Sequence, residues 1–242
     1  MKQKVVLAWS GGKDSAMALH ALLASPVSPR AAGYEVVSLL TTLSRQYRRI
    51  SHHGVRVELL EQQAAALGIR VDKLYLPRTN CTIEQYEAVM EKAMLQYKRR
   101  NVLTVAFGDI FLQDLREYRQ RNLARVGMKA IFPIWGRGTA ELVRTFIALG
   151  FKAYLTCVDS QKLGEQFAGK PIDASLIRDL PDGVDPCGEN GEYHSFVYDG
   201  PIFRQPVEVR TGQVVLRDTR YFADLLPASR RAPRRRVVTG EI

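Results

Sequence analysis

The apolar run Lys4-Val5-Val6-Leu7-Ala8-Trp9 passes directly into Ser10-Gly11-Gly12-Lys13-Asp14-Ser15 and then into a helical pattern. That order predicts a strand, a glycine turn and a helix start, which together form a phosphate cradle. Adjacent glycines let the backbone approach an anion closely, and the unpaired N–H groups of the helix's first turn point at it along the positive end of the helix dipole. Ser10 and Ser15 add hydroxyl donors, and Lys13 adds charge. The segment lacks the spacing and terminal Lys-Ser/Thr of the Walker A loop, and it lacks the G-x-G-x-x-G dinucleotide pattern. A plain Ser/Gly turn feeding a capped helix is the simpler reading, and the strand–turn–helix context favours the cradle over it.

Strand-like runs alternate with helical patterns through most of the chain, which predicts an α/β fold with a parallel sheet. Strands are expected near Lys4–Trp9, Glu35–Thr42, Arg70–Leu76, Val102–Gly108, Lys129–Pro133 and Lys152–Val158. Helices are expected near Asp14–Ala24, Gly54–Leu67, Ile83–Arg100, Leu112–Val126 and Ala140–Leu149. Ligands of such sheets gather at the carboxyl ends of the strands, so Ser10–Ser15, the loop after Thr42 and Gly108-Asp109 should converge on one face. Beyond Pro133 the pattern loosens, and short β-like runs at Pro206–Val209 and Gln213–Arg217 follow a Gly/Pro-rich acidic stretch. We therefore expect a nucleotide-binding domain over 1–133, a smaller α+β substrate-binding lobe over 134–225 and a basic, disordered tail over 226–242.

Further segments carry chemistry. Asp14 stands at the helix start, where a carboxylate can cap backbone N–H groups. Ser51-His52-His53-Gly54 opens a helix after a loop holding Arg45, Arg48 and Arg49, and combines proton transfer with anion-binding charge. Histidines that merely line a helix start are the alternative. Asp109 ends a strand on the expected ligand face, whereas Asp114, Arg116, Glu117 and Arg119 read equally well as a salt-bridged helical surface. The stretch from Pro186 to Phe196 places Glu189, Asn190, Gly191, Glu192, Tyr193 and His194 in one loop ahead of a strand.

The Ser10–Ser15 segment resembles the S-G-G-x-D-S pyrophosphate loop of the ATP pyrophosphatases, which have a Rossmann-like fold and cleave ATP to AMP and pyrophosphate. Together with Gly108-Asp109-Ile110, Phe132-Pro133-Ile134-Trp135, Cys187–Tyr193 and Asp199–Phe203, it is similar to the diphthine–ammonia ligase group of that superfamily. That group's E-G-G-E-Y-E-T loop is matched here by Glu189, Gly191, Glu192 and Tyr193, while Asn190, His194 and Ser195 depart from it. The resemblance implies adenylation of a carboxylate, then displacement of AMP by ammonia. Its implied acceptor is a modified histidine on translation elongation factor 2. It implies ATP binding by Ser10, Gly11, Gly12, Lys13, Asp14, Ser15, Gly108 and Asp109, with Mg²⁺ organised by Asp14. Catalytic roles fall to Lys13, Asp14, His53, Glu189 and Glu192, and substrate contacts to His52, Gly54, Asn190, Gly191 and Tyr193. A tRNA-modifying adenylase of the same superfamily and a nucleotide sensor without turnover are the alternatives.

The net charge of +10 would suit a nucleic-acid partner, but Arg230, Arg231, Arg234, Arg235 and Arg236 concentrate it at the end of the chain, so nucleic acid is not favoured. Cys81, Cys157 and Cys187 are too few and too scattered for a disulfide framework or a zinc site. They also lack the pairing that tRNA-thiolating relatives use. No basic and apolar leader and no membrane-spanning run is visible, so a cytoplasmic enzyme is expected, with homo-oligomerisation left open.

Overall fold

The structure is a computed structural model, and it describes residues 2–24, 33–77 and 81–228. The Arg-rich run from Arg230 therefore lies outside the described residues.

At the centre lies β1 (Gln3–Ala8), parallel to β2 (Tyr34–Ser44) on one side and β5 (Thr104–Ala106) on the other. Parallel β4 (Val71–Leu76) joins β2, and parallel β6 (Lys129–Ile131) joins β5. The two-residue β3 (Arg49–Ile50) pairs antiparallel with the end of β2. Alternation along β1 feeds two cores: Val5 and Leu7 enter one, Val6 the other. The first takes Met17, Leu19 and Leu22 of α1 (Lys13–Ala24) and Leu59, Leu60 and Leu67 of α2 (Val57–Leu67). The second takes Met94 and Tyr97 of α3 (Ile83–Arg99) and Leu123 of α4 (Gln113–Arg125). With both faces covered, the parallel strands read as near-continuous apolar runs. This is the expected Rossmann-like arrangement.

Helix ends follow local chemistry. Thr82 caps α3 in a reciprocal box with Gln85, and α2 stops at Gly68, whose φ of 69° suits glycine.

After α5 (Thr139–Ala148) comes a second, antiparallel sheet in the order β8-β7-β10-β9. Its strands are β7 (Lys152–Asp159), β8 (Tyr193–Asp199), β9 (Val209–Arg217) and β10 (Arg220–Pro227), and α6 (Ala174–Asp179) lies between the first two. Three expectations change here. The run Lys152–Val158 follows a helix but joins this sheet and not the parallel one. A strand forms from Arg220 to Pro227 where none was expected. The strand after the acidic loop starts at Tyr193, inside the segment expected to be loop. Leu155, Phe196 and Leu225 of this sheet belong to the same core as Leu7 and Leu19, so the two sheets share one apolar interior.

Candidate active site

The Ser10–Ser15 loop leaves β1 and enters α1 at Lys13, as the alternation of apolar strand and glycine turn predicts. Gly11 has φ of 80°, a left-handed conformation that glycine adopts without strain. Inside the loop, Gly12 N–H donates to Ser10 Oγ at 3.3 Å, and Ser15 Oγ donates to the Gly12 carbonyl at 2.9 Å. Gly108, at the end of β5, lies against the start of α1: a Cβ there would stand 2.8 Å from the Asp14 carbonyl carbon and 3.0 Å from Ser15 N. The first turn of α1 and the end of β5 thus meet backbone to backbone.

Strand β8 closes the loop from the second sheet. Val197 N–H donates to the Gly11 carbonyl at 2.9 Å, and Lys13 N–H donates to Ser195 Oγ at 3.1 Å. Gln63 of α2 ties both sides together. Its amide donates to the Gly11 carbonyl at 3.1 Å and the Val197 carbonyl at 2.6 Å, while its oxygen accepts from Trp9 Nε1 at 2.7 Å. Gln63 is fully buried and was not among the residues expected at the site. The signal was present in the sequence: it is the one polar residue in the buried stripe Leu59, Leu60, Gln63, Ala64, Leu67.

Lys13 is 3% exposed and pairs with both Asp14 oxygens, at 2.8 and 2.9 Å, above the Tyr193 ring. Burial works against its charge, but the adjacent Asp14 carboxylate outweighs that and holds Lys13 above the usual lysine range. Both Asp14 carboxylate oxygens thus accept from Lys13 Nζ. Asp109 is likewise paired, with Arg119 Nε at 2.6 Å, so Arg119 belongs to this ion pair and not to an open helical face.

His52, His53 and Gly54 do not open a helix. They form a turn after β3, and α2 begins at Val57. His53 Nδ1 lies 3.0 Å from the Ser195 carbonyl, and its ring stacks on His194 with centroids 4.5 Å apart. Burial pushes the His53 imidazole down to about 4 and takes His194 well below its ordinary value. Arg49 is occupied with Asp224 and the Gly54 carbonyl.

The acidic loop reaches the same place from the other side. Glu189 Oε1 accepts from Ile110 N–H at 3.0 Å, beside Gly108 and Asp109. Burial, and then the charge of Asp14, push the Glu189 carboxyl up to about 7. Glu192 is 3% exposed; its Oε1 accepts from Asp185 N–H and Asn190 Nδ2. Its Oε2 is buried with no hydrogen-bond partner among the described residues. Gly191 passes its carbonyl to Arg220, and the Tyr193 hydroxyl donates to the Pro186 carbonyl at 2.5 Å. Gly188, with φ of 67°, leaves no room for a side chain, since a Cβ would meet the Tyr193 ring at 2.8 Å. Cys187 is buried with its thiol on the Thr139 carbonyl and is pushed up to about 12 by burial, which suits a packing residue.

The site thus joins a glycine loop at a helix N-terminus to a carboxylate loop, across two sheets. The same two halves are matched by family models: residues 3–130 by the diphthamide synthase N-terminal domain and residues 138–229 by its C-terminal domain. The chain belongs to the diphthamide synthase family. Among curated relatives of this family member, the diphthine–ammonia ligases of Bos taurus and Homo sapiens are each 25% identical over 239 residues, covering 88% of this chain and 85% of theirs. That of Danio rerio is 24% identical, covering 91% of both chains. The diphthamide synthase match makes the chain a member of an ATP-dependent, amide-forming ligase family. No described helix is long and apolar enough to cross a membrane.

Proposed function

We propose that this chain adenylates a carboxylate and converts it to an amide with ammonia in the cytoplasm, the acceptor being diphthine on translation elongation factor 2. The observation that carries the reading is the juncture of Ser10–Ser15 with the Glu189–Glu192 loop, held by Val197 and Ser195 of β8 and by Ile110 after β5. In this reading residues 1–133 bind nucleotide and 134–225 face the acceptor.

The acceptor's carboxylate oxygen attacks the α-phosphorus, and the bond from that phosphorus to the bridging oxygen of pyrophosphate breaks. Positioning and charge neutralisation supply most of the acceleration. Lys13 and the N–H groups at the start of α1 meet the charge on the departing pyrophosphate. Ammonia nitrogen then attacks the acyl carbon, AMP leaves with the bonding electron pair, and the surplus proton passes to Glu189. A carboxyl near neutrality suits that transfer. The unpartnered Glu192 Oε2 is an acceptor for an ammonium N–H. His52, Gly54 and Asn190 lie on the acceptor side.

Magnesium fits this site in a limited way. Among the described residues no group of three or more His, Cys, Asp or Glu side chains could hold a metal, whereas Mg²⁺ on ATP needs only one or two carboxylates beside the phosphates. Asp14 is the carboxylate at the loop; it would have to share its oxygens between Lys13 and the ion, which would neutralise phosphate charge there.

The test is turnover of ATP labelled at the α-phosphate with Mg²⁺, ammonium and diphthine-bearing elongation factor 2. AMP and pyrophosphate formation that depends on the acceptor, and is lost in Ser10→Ala and Asp14→Asn, is the expected result. ADP would sink the reading, and binding without AMP would leave a nucleotide sensor.

A further inference from the structure

Three of the chain's four histidines gather on one flank of the phosphate loop. His53 occupies the space a side chain at Gly12 would need: a Cβ there would lie 2.9 Å from His53 Cε1. The Ser195 carbonyl can only accept, so His53 Nδ1 carries the hydrogen and Nε2 is left bare. His194 stacks on His53 with planes tilted by 34°, and the His52 ring lies 6.5 Å from that of His194.

Titratable and charged groups face this stack from three elements. Lys13 faces it from α1, Arg220 from β10 and His52 from the turn after β3. Cys157 stands opposite His194 on β7, and burial lifts its thiol to about 11, so it brings no negative charge near neutrality. The nearby carboxylates are committed elsewhere, Asp14 to Lys13 and Asp159 to Arg220 at 3.9 Å. Among the described residues none pairs with any of the three rings. A half-buried stack of neutral imidazoles beside an anion-binding loop, with Lys13 and Arg220 close by, lacks only a multiply charged anion.

We infer that the His53–His194 stack takes up a proton from solvent as pyrophosphate occupies the Ser10–Ser15 loop, so that His53 Nε2 gains a hydrogen and donates it to a phosphate oxygen. This rests on the reading of that loop as the pyrophosphate site. An anion at Gly12 lies within reach of the ring that abuts Gly12, and its charge opposes the desolvation, and the lesser push of nearby positive charge, that keep the ring neutral when the loop is empty. Stacking limits the uptake to about one proton, because an imidazolium lies well on a neutral ring and poorly on a second imidazolium. His194 is the ring that shares the charge.

Calorimetric titration with inorganic pyrophosphate and Mg²⁺ at about pH 6.5, in buffers of differing ionisation enthalpy, counts the protons. Subtracting the count for His53→Gln and for His194→Gln removes the ligand's own protonation. Wild type should take up more protons than either variant, with a difference approaching one for His53→Gln. In wild type labelled with ¹³C at histidine Cε1, the His53 resonance should move to the imidazolium position when pyrophosphate is added. Equal counts with binding intact, or a His53 resonance that stays neutral in the complex, overturns this inference alone. A wild type that does not bind pyrophosphate overturns the loop assignment with it.

Discussion

The Glu189 carboxyl accepts from Ile110 N–H in a place where burial and the Asp14 carboxylate both oppose its ionisation. If its ionised form takes the proton from the attacking amine, acceptor-dependent AMP formation should rise with pH through a limb near 7. Glu189→Gln should abolish that limb and lower kcat by about a hundredfold, in the range typical of a removed general base. Stability should move the other way. The folded protein keeps a proton on Glu189 that the unfolded chain releases above the ordinary value of 4.5, so wild type loses stability between there and about 7. The difference between melting curves of wild type and Glu189→Gln across that range checks the sign. Gly108 offers a second test. An added methyl would meet the backbone of Asp14 and Ser15, which cannot swing aside, so Gly108→Ala should cost about 1–3 kcal/mol. Nucleotide binding should fall with it, since α1 would be pushed off β5; thermal melts with and without ATP read both effects.

Strand β8 explains why the site was only partly legible. Ser10–Ser15 could be placed because strand, glycine turn and helix are contiguous, and β1, β2 and α1 each carry an unambiguous apolar pattern. Tyr193-His194-Ser195-Phe196 has no such pattern, because two of its side chains are turned to polar partners: His194 to His53, and Ser195 to Lys13 N–H. A strand that serves a site loses the alternation by which strands are recognised. The run Lys152–Val158 was legible as a strand but not as antiparallel, since a buried strand looks the same whichever sheet it enters. Arg220–Pro227 was missed because Arg220 and Asp224 interrupt its apolar residues to make ion pairs. Gln63 bridges β8 and the loop, and Gln63→Leu should be destabilising despite its similar size. The Trp9 N–H and the Val197 carbonyl would lose the Gln63 bond, at about 1–3 kcal/mol for each buried group left unsatisfied, while the Gly11 carbonyl would keep only Val197 N–H. Chemical denaturation should show the loss, and Gln63→Glu should not restore it, because a carboxylate cannot donate to Gly11 and Val197.

The two sheets are joined by a shared core and by a polar clasp in which Arg49 and Arg56 both hold Asp224 of β10. Hydrogen bonding from Arg56 and Arg49 pulls the Asp224 carboxyl below its ordinary value of 3.8. The clasp therefore adds stability above that value and loses it as pH falls through the lower, folded one. Asp224→Asn should lower stability by about 1 kcal/mol at neutral pH, and the gap to wild type should close in strong acid. Equal unfolding free energies at neutral pH would remove the clasp from the account of how the sheets hold together.

Strand β8 is an outer strand of its own sheet, yet it hands a hydrogen bond from Val197 to Gly11 in the loop after β1. The Ser10–Ser15 loop is finished by a segment encoded more than 180 positions later, as the pairing of Lys13 with Ser195 illustrates. Neither segment is a free-standing part. In a chimaera assembled from two relatives, the loop and the strand would have to be inherited from the same parent, and drift in one would select its matching change in the other.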